Sequence, residues 1–364
     1  MSDSRETLLL VGTMKGLFQF RSDDRRRWQR VSFDFKETPV YTTAFDAVSE
    51  TLYAAANDSF FGLKVQRSKD MGRTWSATAN PPSYAADDAE KVTRVWSFQP
   101  APGEGEGVLY AGVEASGLFR SDDDGDTWSE VAALRQHPTH ETWNPGNGGK
   151  CLHSIALDPE TPGRMYVAAS AGGIYRTDDK GASWTPINRG IRADFMPEPM
   201  RYPESGQCVH KFALSPTQKD RIWLQNHGGV YRSDDAGSTW VDVGKNLPHD
   251  FGFPIAAHPH RADTAFTVPL QADEGRWFVE HKVGLFRTDD AGESWRALRS
   301  GLPTEAYDGV LRDAMANDRE ASVGLYFGTT TGSVYASADE GETWHEVASH
   351  LPRVLSVKVV GPTR

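Results

Sequence analysis

Apolar and aromatic residues come in short runs of about four to eight, bounded by Gly, Pro, Asn and Asp, a pattern that predicts β-strands joined by tight turns. One stretch shows the unit. Cys208-Val-His-Lys-Phe-Ala-Leu-Ser-Pro216 reads as an inner strand and Arg221-Ile-Trp-Leu-Gln225 as a second. Gly229-Val-Tyr-Arg-Ser233 reads as a third and Trp240-Val-Asp-Val243 as the outermost. No apolar run reaches the roughly 18 residues of a membrane-spanning helix.

The unit repeats. The motif Ser/Thr-x-Asp-x-Gly-x-Ser/Thr-Trp occurs at 68–75, 121–128, 177–184, 233–240, 288–295 and 337–344, and a shortened copy without Gly at 22–28. The gaps between successive motif tryptophans, from Trp28 to Trp344, are 47, 53, 56, 56, 55 and 49 residues. Strand-rich units at this period predict an all-β, seven-bladed β-propeller of four-stranded blades, a single domain over residues 1–364. The motif falls in the turn between third and fourth strands. There Asp can bond turn amides, Gly supplies a permissive backbone and Trp fills the space between blades. The chain opens in a second-strand pattern, Thr7-Leu-Leu-Leu-Val-Gly12, and ends in an inner-strand pattern, Val354-Leu-Ser-Val-Lys-Val-Val360. The last strand is therefore expected to complete blade one and close the ring.

The motif resembles that of the BNR, or Asp-box, repeats of sialidases, sortilin-type receptors and photosystem II assembly-factor propellers. Over its whole length the chain resembles the bacterial BNR-repeat proteins described as sialidase-like or glycosyl-hydrolase-like. The resemblance implies the propeller and makes the Asp boxes scaffold rather than catalytic or calcium-binding elements. Sialidases also share an Arg-Ile-Pro segment, an arginine triad and six blades. This chain has no Arg-Ile-Pro and seven repeats, so sialidase activity is not expected.

Strand alternation places the inner-strand starts and the second-to-third loops on the face opposite the Asp boxes. That face carries the long connections, 23 residues from Trp128 to Cys151 and 24 from Trp184 to Cys208, and an extended loop near Gln271 to Lys282. Cys151-Leu-His153 and Cys208-Val-His210 begin adjacent inner strands, and Asn226-His227 ends the strand paired with the second of them. The histidines His153, His210, His227 and His281 could hold zinc or another divalent transition metal, with no other cofactor expected. They could equally be hydrogen-bonded structural residues or bind a substrate carboxylate without metal. Glu114, Glu141, Lys150, Arg201 and Glu280 are candidate catalytic acids, bases and anion-binding groups. Arg94, Trp143, Asn144, Tyr202 and Asn226 are candidate substrate-binding residues. Glu114 and His281 are aligned with Asn226 in their own blades. The stretch Asn144 to Gly149 reads as a tight turn feeding an inner strand.

These features predict a small-molecule- or carbohydrate-active enzyme of hydrolase or lyase type, its pocket near blades three to six. The alternative is a non-catalytic binding or assembly-factor propeller. Charge narrows the partners. Lys and Arg number 39 against 50 Asp and Glu, a net charge of −11, which argues against nucleic acid and anionic membrane surfaces. A small-molecule or sugar ligand is expected, and the oligomeric state is open. Two cysteines and a non-basic amino terminus predict a cytoplasmic protein with reduced thiols.

Overall fold

The structure is a computed structural model that describes residues 6–58, 62–145, 149–194, 196–272 and 275–361. Gly146 to Gly148, within the expected turn before Cys151, lie outside the described residues. The chain is all-β, and its strands form four-stranded antiparallel meanders. Four meanders are separate sheets, and a fifth carries one extra short strand, Trp277–Phe278, in the extended loop. Two more join edge to edge into an eight-stranded sheet through one parallel pair, Asp313 with Ser356.

In that eight-stranded sheet the last strand, Val354–Val360, pairs antiparallel with the first, Thr7–Thr13, with Leu8 opposite Val360 and Val11 opposite Val357. The two ends of the chain thus build one meander, as expected. Each inner strand packs against the next: Val40–Asp46, Arg94–Pro100, Leu152–Leu157, Val209–Leu214, Gly252–Ala257, Val310–Asn317 and Val354–Val360, the last of which returns to Val40–Asp46. They surround a cavity of about 400 Å³ to which all seven contribute, with Thr42, Ser97, Ser154, Lys211, Ile255, Asp313 and Ser356 among its lining residues. Between neighbouring meanders lies the core, where Tyr53, Tyr110, Tyr166, Trp223, Phe266 and Phe327 are fully buried.

The repeated motif does in the structure what its residue types require. In the copy at 121–128, Ser121 Oγ donates to Asp123 Oδ1 at 2.8 Å and accepts from the Gly125 amide at 2.9 Å. Asp123 then accepts from the Thr127 amide at 2.8 Å and from its hydroxyl at 2.6 Å. The residue before the Gly is left-handed in every copy, from Met71 to Glu340. Its amide reaches back to the first-to-second turn, as in Asp124 N to Gly107 O at 3.0 Å. Trp240 and Trp295 bond carbonyls of the preceding unit, Ile187 O at 2.7 Å and Val243 O at 2.8 Å, and so tie neighbours together.

These bonds also set an acid limit. Hydroxyl and amide donors hold Asp70 and Asp179 down to about 2, and the Ser294 hydroxyl and amide lower Asp290. A carboxyl whose folded pKa lies below its unfolded value, about 3.9, stabilises the fold above that value and loses this as pH falls through the folded one. Stability should therefore be flat above about pH 5 and fall between about pH 4 and pH 2. Urea midpoints across that range check it, and a midpoint that does not move would contradict the role of the boxes.

Candidate functional site at the inner-strand mouth

The site residues sit where the inner strands break register. Val209 pairs with Asn226 and Lys211 with Gln225, leaving His210 unmatched. The same break falls at Trp96 between Val95 and Ser97, at His153 between Leu152 and Ser154, and across Phe253 and Arg312 in the next two units. Bulges re-aim side chains that regular pleating would alternate. Repeated at each inner strand, they crowd polar groups at one end of the channel.

Cys208, His210 and His227 converge there, with their potential ligand atoms all within 4.8 Å of one another. Cys208 Sγ lies 3.6 Å from His210 Nε2. His210 Nδ1 donates to the Gly252 carbonyl at 2.5 Å, which fixes the tautomer and leaves Nε2 as an acceptor. The His210 and His227 rings meet edge to face at 5.5 Å. Phe253 stacks on His210 at 4.8 Å, and Phe251 closes against both rings. Burial and the nearby Arg312 charge hold His210 down to about 3, burial lowers His227, and burial pushes the Cys208 thiol up. Both histidines are therefore neutral at pH 7.

Two guanidiniums flank this cluster. Arg312 packs over Trp96 at 5.6 Å and lies 3.7 Å from Cys151 Sγ, and its Nε is buried without a hydrogen-bond partner. Arg276 packs over Phe251 and Phe253 at 5.5 and 5.8 Å. Among the described residues neither has a carboxylate partner, although the chain is acidic and most of its arginines are paired. Arg94 is different. It stacks on Tyr41 at 4.7 Å and pairs with Glu114 at 3.3 Å, and Glu114 also accepts from Trp96 Nε1 at 3.0 Å.

Of the residues expected from sequence, Arg94, Glu114, His210 and His227 thus gather at the mouth. The pairing corrects one alignment: Val95 pairs with Val113 as Val209 pairs with Asn226, so Glu114 stands where His227 does. In the sixth unit Gly252 pairs with Pro269, so His281 has no such place. It sits in a 3-10 turn, Val279–His281, stacked on Tyr307 at 4.6 Å, and is not a member of the histidine cluster.

His153 also stands apart from that cluster. It is fully buried, with Nε2 on the Val209 carbonyl at 3.0 Å and Nδ1 on Ser154 Oγ at 3.0 Å, so both nitrogens are engaged. Trp143 is core rather than ligand platform, buried with its indole donating to Tyr175 at 3.0 Å. Asn226 is buried and bonds the Arg192 carbonyl at 3.0 Å, bracing the loop.

The remaining candidates lie on the rim. Glu141, Asn144 and Tyr202 are exposed, and Asn144 bonds the Thr142 carbonyl at 3.3 Å. Lys150 reaches Glu90 at 3.9 Å and Arg201 the Met196 carbonyl at 3.4 Å. Glu280 is exposed and paired with Arg299 at 2.9 Å. No two of the expected acids, Glu114, Glu141 and Glu280, share a hydrogen-bond partner. Sequence reading missed Arg276, which lies in the extended loop near Gln271 to Lys282, and Phe251, Phe253 and Arg312, which lie in or beside inner strands.

No family model matches the chain. It is 27% identical over 210 residues to an oligoxyloglucan-reducing end-specific xyloglucanase of Emericella nidulans, covering 56% of this chain and 24% of that one. It is 26% identical over 194 residues to the photosystem II assembly protein Ycf48 of Thermosynechococcus vestitus, covering 51% and 44%. The chain thus spans about a quarter of the xyloglucanase and under half of Ycf48. Among solved structures it is similar to a GH74 xyloglucanase from Xanthomonas campestris, with a TM-score of 0.61 and 17% identity over 94% of this chain and 54% of that one. These neighbours are β-propellers.

Proposed function

We propose that the chain is a closed seven-bladed propeller whose mouth, opposite the Asp boxes, binds and transforms a small anionic molecule by hydrolase or lyase chemistry. The carrying observation is the pair of uncompensated guanidiniums, Arg276 and Arg312, held on aromatic faces beside a cluster of neutral histidines. A net charge of −11 offers many carboxylates to pair them, yet among the described residues the exposed Arg276 and the part-buried Arg312 have none within ion-pair distance. A carboxylate or similar oxyanion on the ligand would supply the missing charge, and each such bond contributes about 1.5–3 kcal/mol. Glu114, oriented by Arg94 and Trp96, is the acid or base placed beside it. An acidic sugar meets all these features, since the part-exposed Trp96 and Phe253 offer rings for its apolar face.

Thermal-shift and calorimetric titrations with glucuronate and galacturonate, against glucose and xylose, test this. The acids should bind, and Arg276→Gln or Arg312→Gln should each weaken them about tenfold or more. Equal binding of neutral sugars would overturn the reading. It would instead favour a neutral-glucan hydrolase, a second reading supported by the names of the xyloglucanase relatives. That reading needs a second carboxylate facing Glu114 across a bond, because glycosidases of this kind work with two.

A further inference from the structure

We propose that Cys208, His210 and His227 hold one divalent transition metal, zinc foremost, with a fourth position open to the mouth. The proposal deepens the reading above, since the metal would sit between the two arginines that receive the anionic ligand.

Spacing is the first argument. Zinc bonds sulfur at about 2.3 Å and imidazole nitrogen at about 2.0–2.1 Å, so a tetrahedral site separates the two donors by about 3.5 Å. Cys208 Sγ and His210 Nε2 are 3.6 Å apart. These two donors have the spacing of one shared ion, and the potential ligand atoms of all three residues fall within 4.8 Å of one another.

The second argument is orientation. A metal-binding histidine commonly donates its other N–H to a carbonyl or carboxylate, which fixes the ring and its lone pair. His210 does this through Nδ1 to Gly252 O. The unit before it makes the comparison within one molecule. Cys151, His153 and Ser170 occupy the places of Cys208, His210 and His227, because Leu152 pairs with Ala169 as Val209 pairs with Asn226. There the histidine bonds the next strand through Nε2, its Nδ1 faces Ser154, and a serine replaces the third ligand. One unit therefore carries a finished donor set, and its neighbour carries the same scaffold without one.

Access is the third argument. His210 is buried, whereas Cys208 and His227 are only part-buried, so the open side of the cluster faces the mouth. One thiolate with two imidazoles selects zinc, cobalt or copper over magnesium or calcium, which take oxygen ligands. Arg276 and Arg312 would stabilise an anionic fourth ligand.

The test uses untagged full-length protein stripped with chelator and titrated with Co²⁺ alone, with no substrate present. One equivalent should develop a near-ultraviolet thiolate-to-cobalt band and the intense visible bands of four-coordinate cobalt, and Zn²⁺ should displace it. Cys208→Ser should lose the charge-transfer band, His227→Ala should weaken binding at least tenfold, and Cys151→Ser should keep both. A weak six-coordinate spectrum, or a band that survives Cys208→Ser, overturns the site. The two proposals fail separately. Cobalt spectra in Arg276→Gln and Arg312→Gln should match the parent even if no acidic sugar binds. Sugar binding without a cobalt band would leave the anion reading standing alone.

Discussion

A chain ending at Arg353 is expected not to fold. Val354, Leu355, Val357 and Val360 are all buried, between 0 and 6% exposed. Each contributes about 1.5–3 kcal/mol by leaving water. Together that is about 6–12 kcal/mol, comparable with the whole stability of an ordinary domain, about 5–15 kcal/mol. The same strand supplies the ladder for Thr7–Thr13, so its loss also exposes a row of unpaired backbone groups on Leu8, Leu9, Leu10 and Val11. It packs as well on Val310–Asn317 and Val40–Asp46, the inner strands on either side. Deleting it should leave no cooperative melt by circular dichroism. A truncated chain that melts within a few degrees of the full one would show that the ends do not close the fold.

Asp318→Ala should be the most damaging single substitution away from the mouth. The carboxylate is 5% exposed and accepts four bonds: from Tyr326 Oη at 2.8 Å, the Gly324 amide at 2.8 Å, the Glu320 amide at 3.1 Å and Arg25 Nη1 at 2.9 Å. Removing it leaves a buried phenol and amide unsatisfied and strips a largely buried guanidinium of its partner. Breaking such a pair from one side costs about 3–5 kcal/mol. Arg25 belongs to the shortened motif at 22–28, where it takes the left-handed position that precedes Gly in the complete copies. The ion pair thus joins the deficient turn to its neighbouring unit, and Asp318→Asn should recover part of the loss. Urea unfolding measures both variants, and a loss under about 0.5 kcal/mol for Ala would refute the assignment.

The repeat was legible because each motif is a local device: its Ser, Asp, Gly and Thr bond one another within seven residues, so spacing alone reveals them. The pairing of the first and last strands was legible because they carry complementary parts of one repeated unit. The meeting of His210 and His227 was legible from hairpin pairing, since the His227 amide bonds the Cys208 carbonyl. What strand alternation hid was the bulge. A second-to-third connection one residue longer than that of the His227 unit also put Glu114 at the place of His227 rather than that of Asn226. His153 looked equivalent to His210, but its ring is turned so that the opposite nitrogen makes the inter-strand bond. Arg276 and Arg312 come from the two units that follow that of His210, and nothing local distinguishes them from arginines that pair with carboxylates.

The central claim is that the bulged ends of the inner strands form one working site around Cys208, His210 and His227. Diffraction from untagged crystals loaded with zinc, recorded on both sides of the zinc absorption edge, tests it most directly. The account predicts one strong anomalous peak per chain, within bonding distance of Cys208 Sγ, His210 Nε2 and a nitrogen of His227, with density for a fourth ligand on the mouth side. No peak there, or a peak only at surface carboxylates, would contradict it.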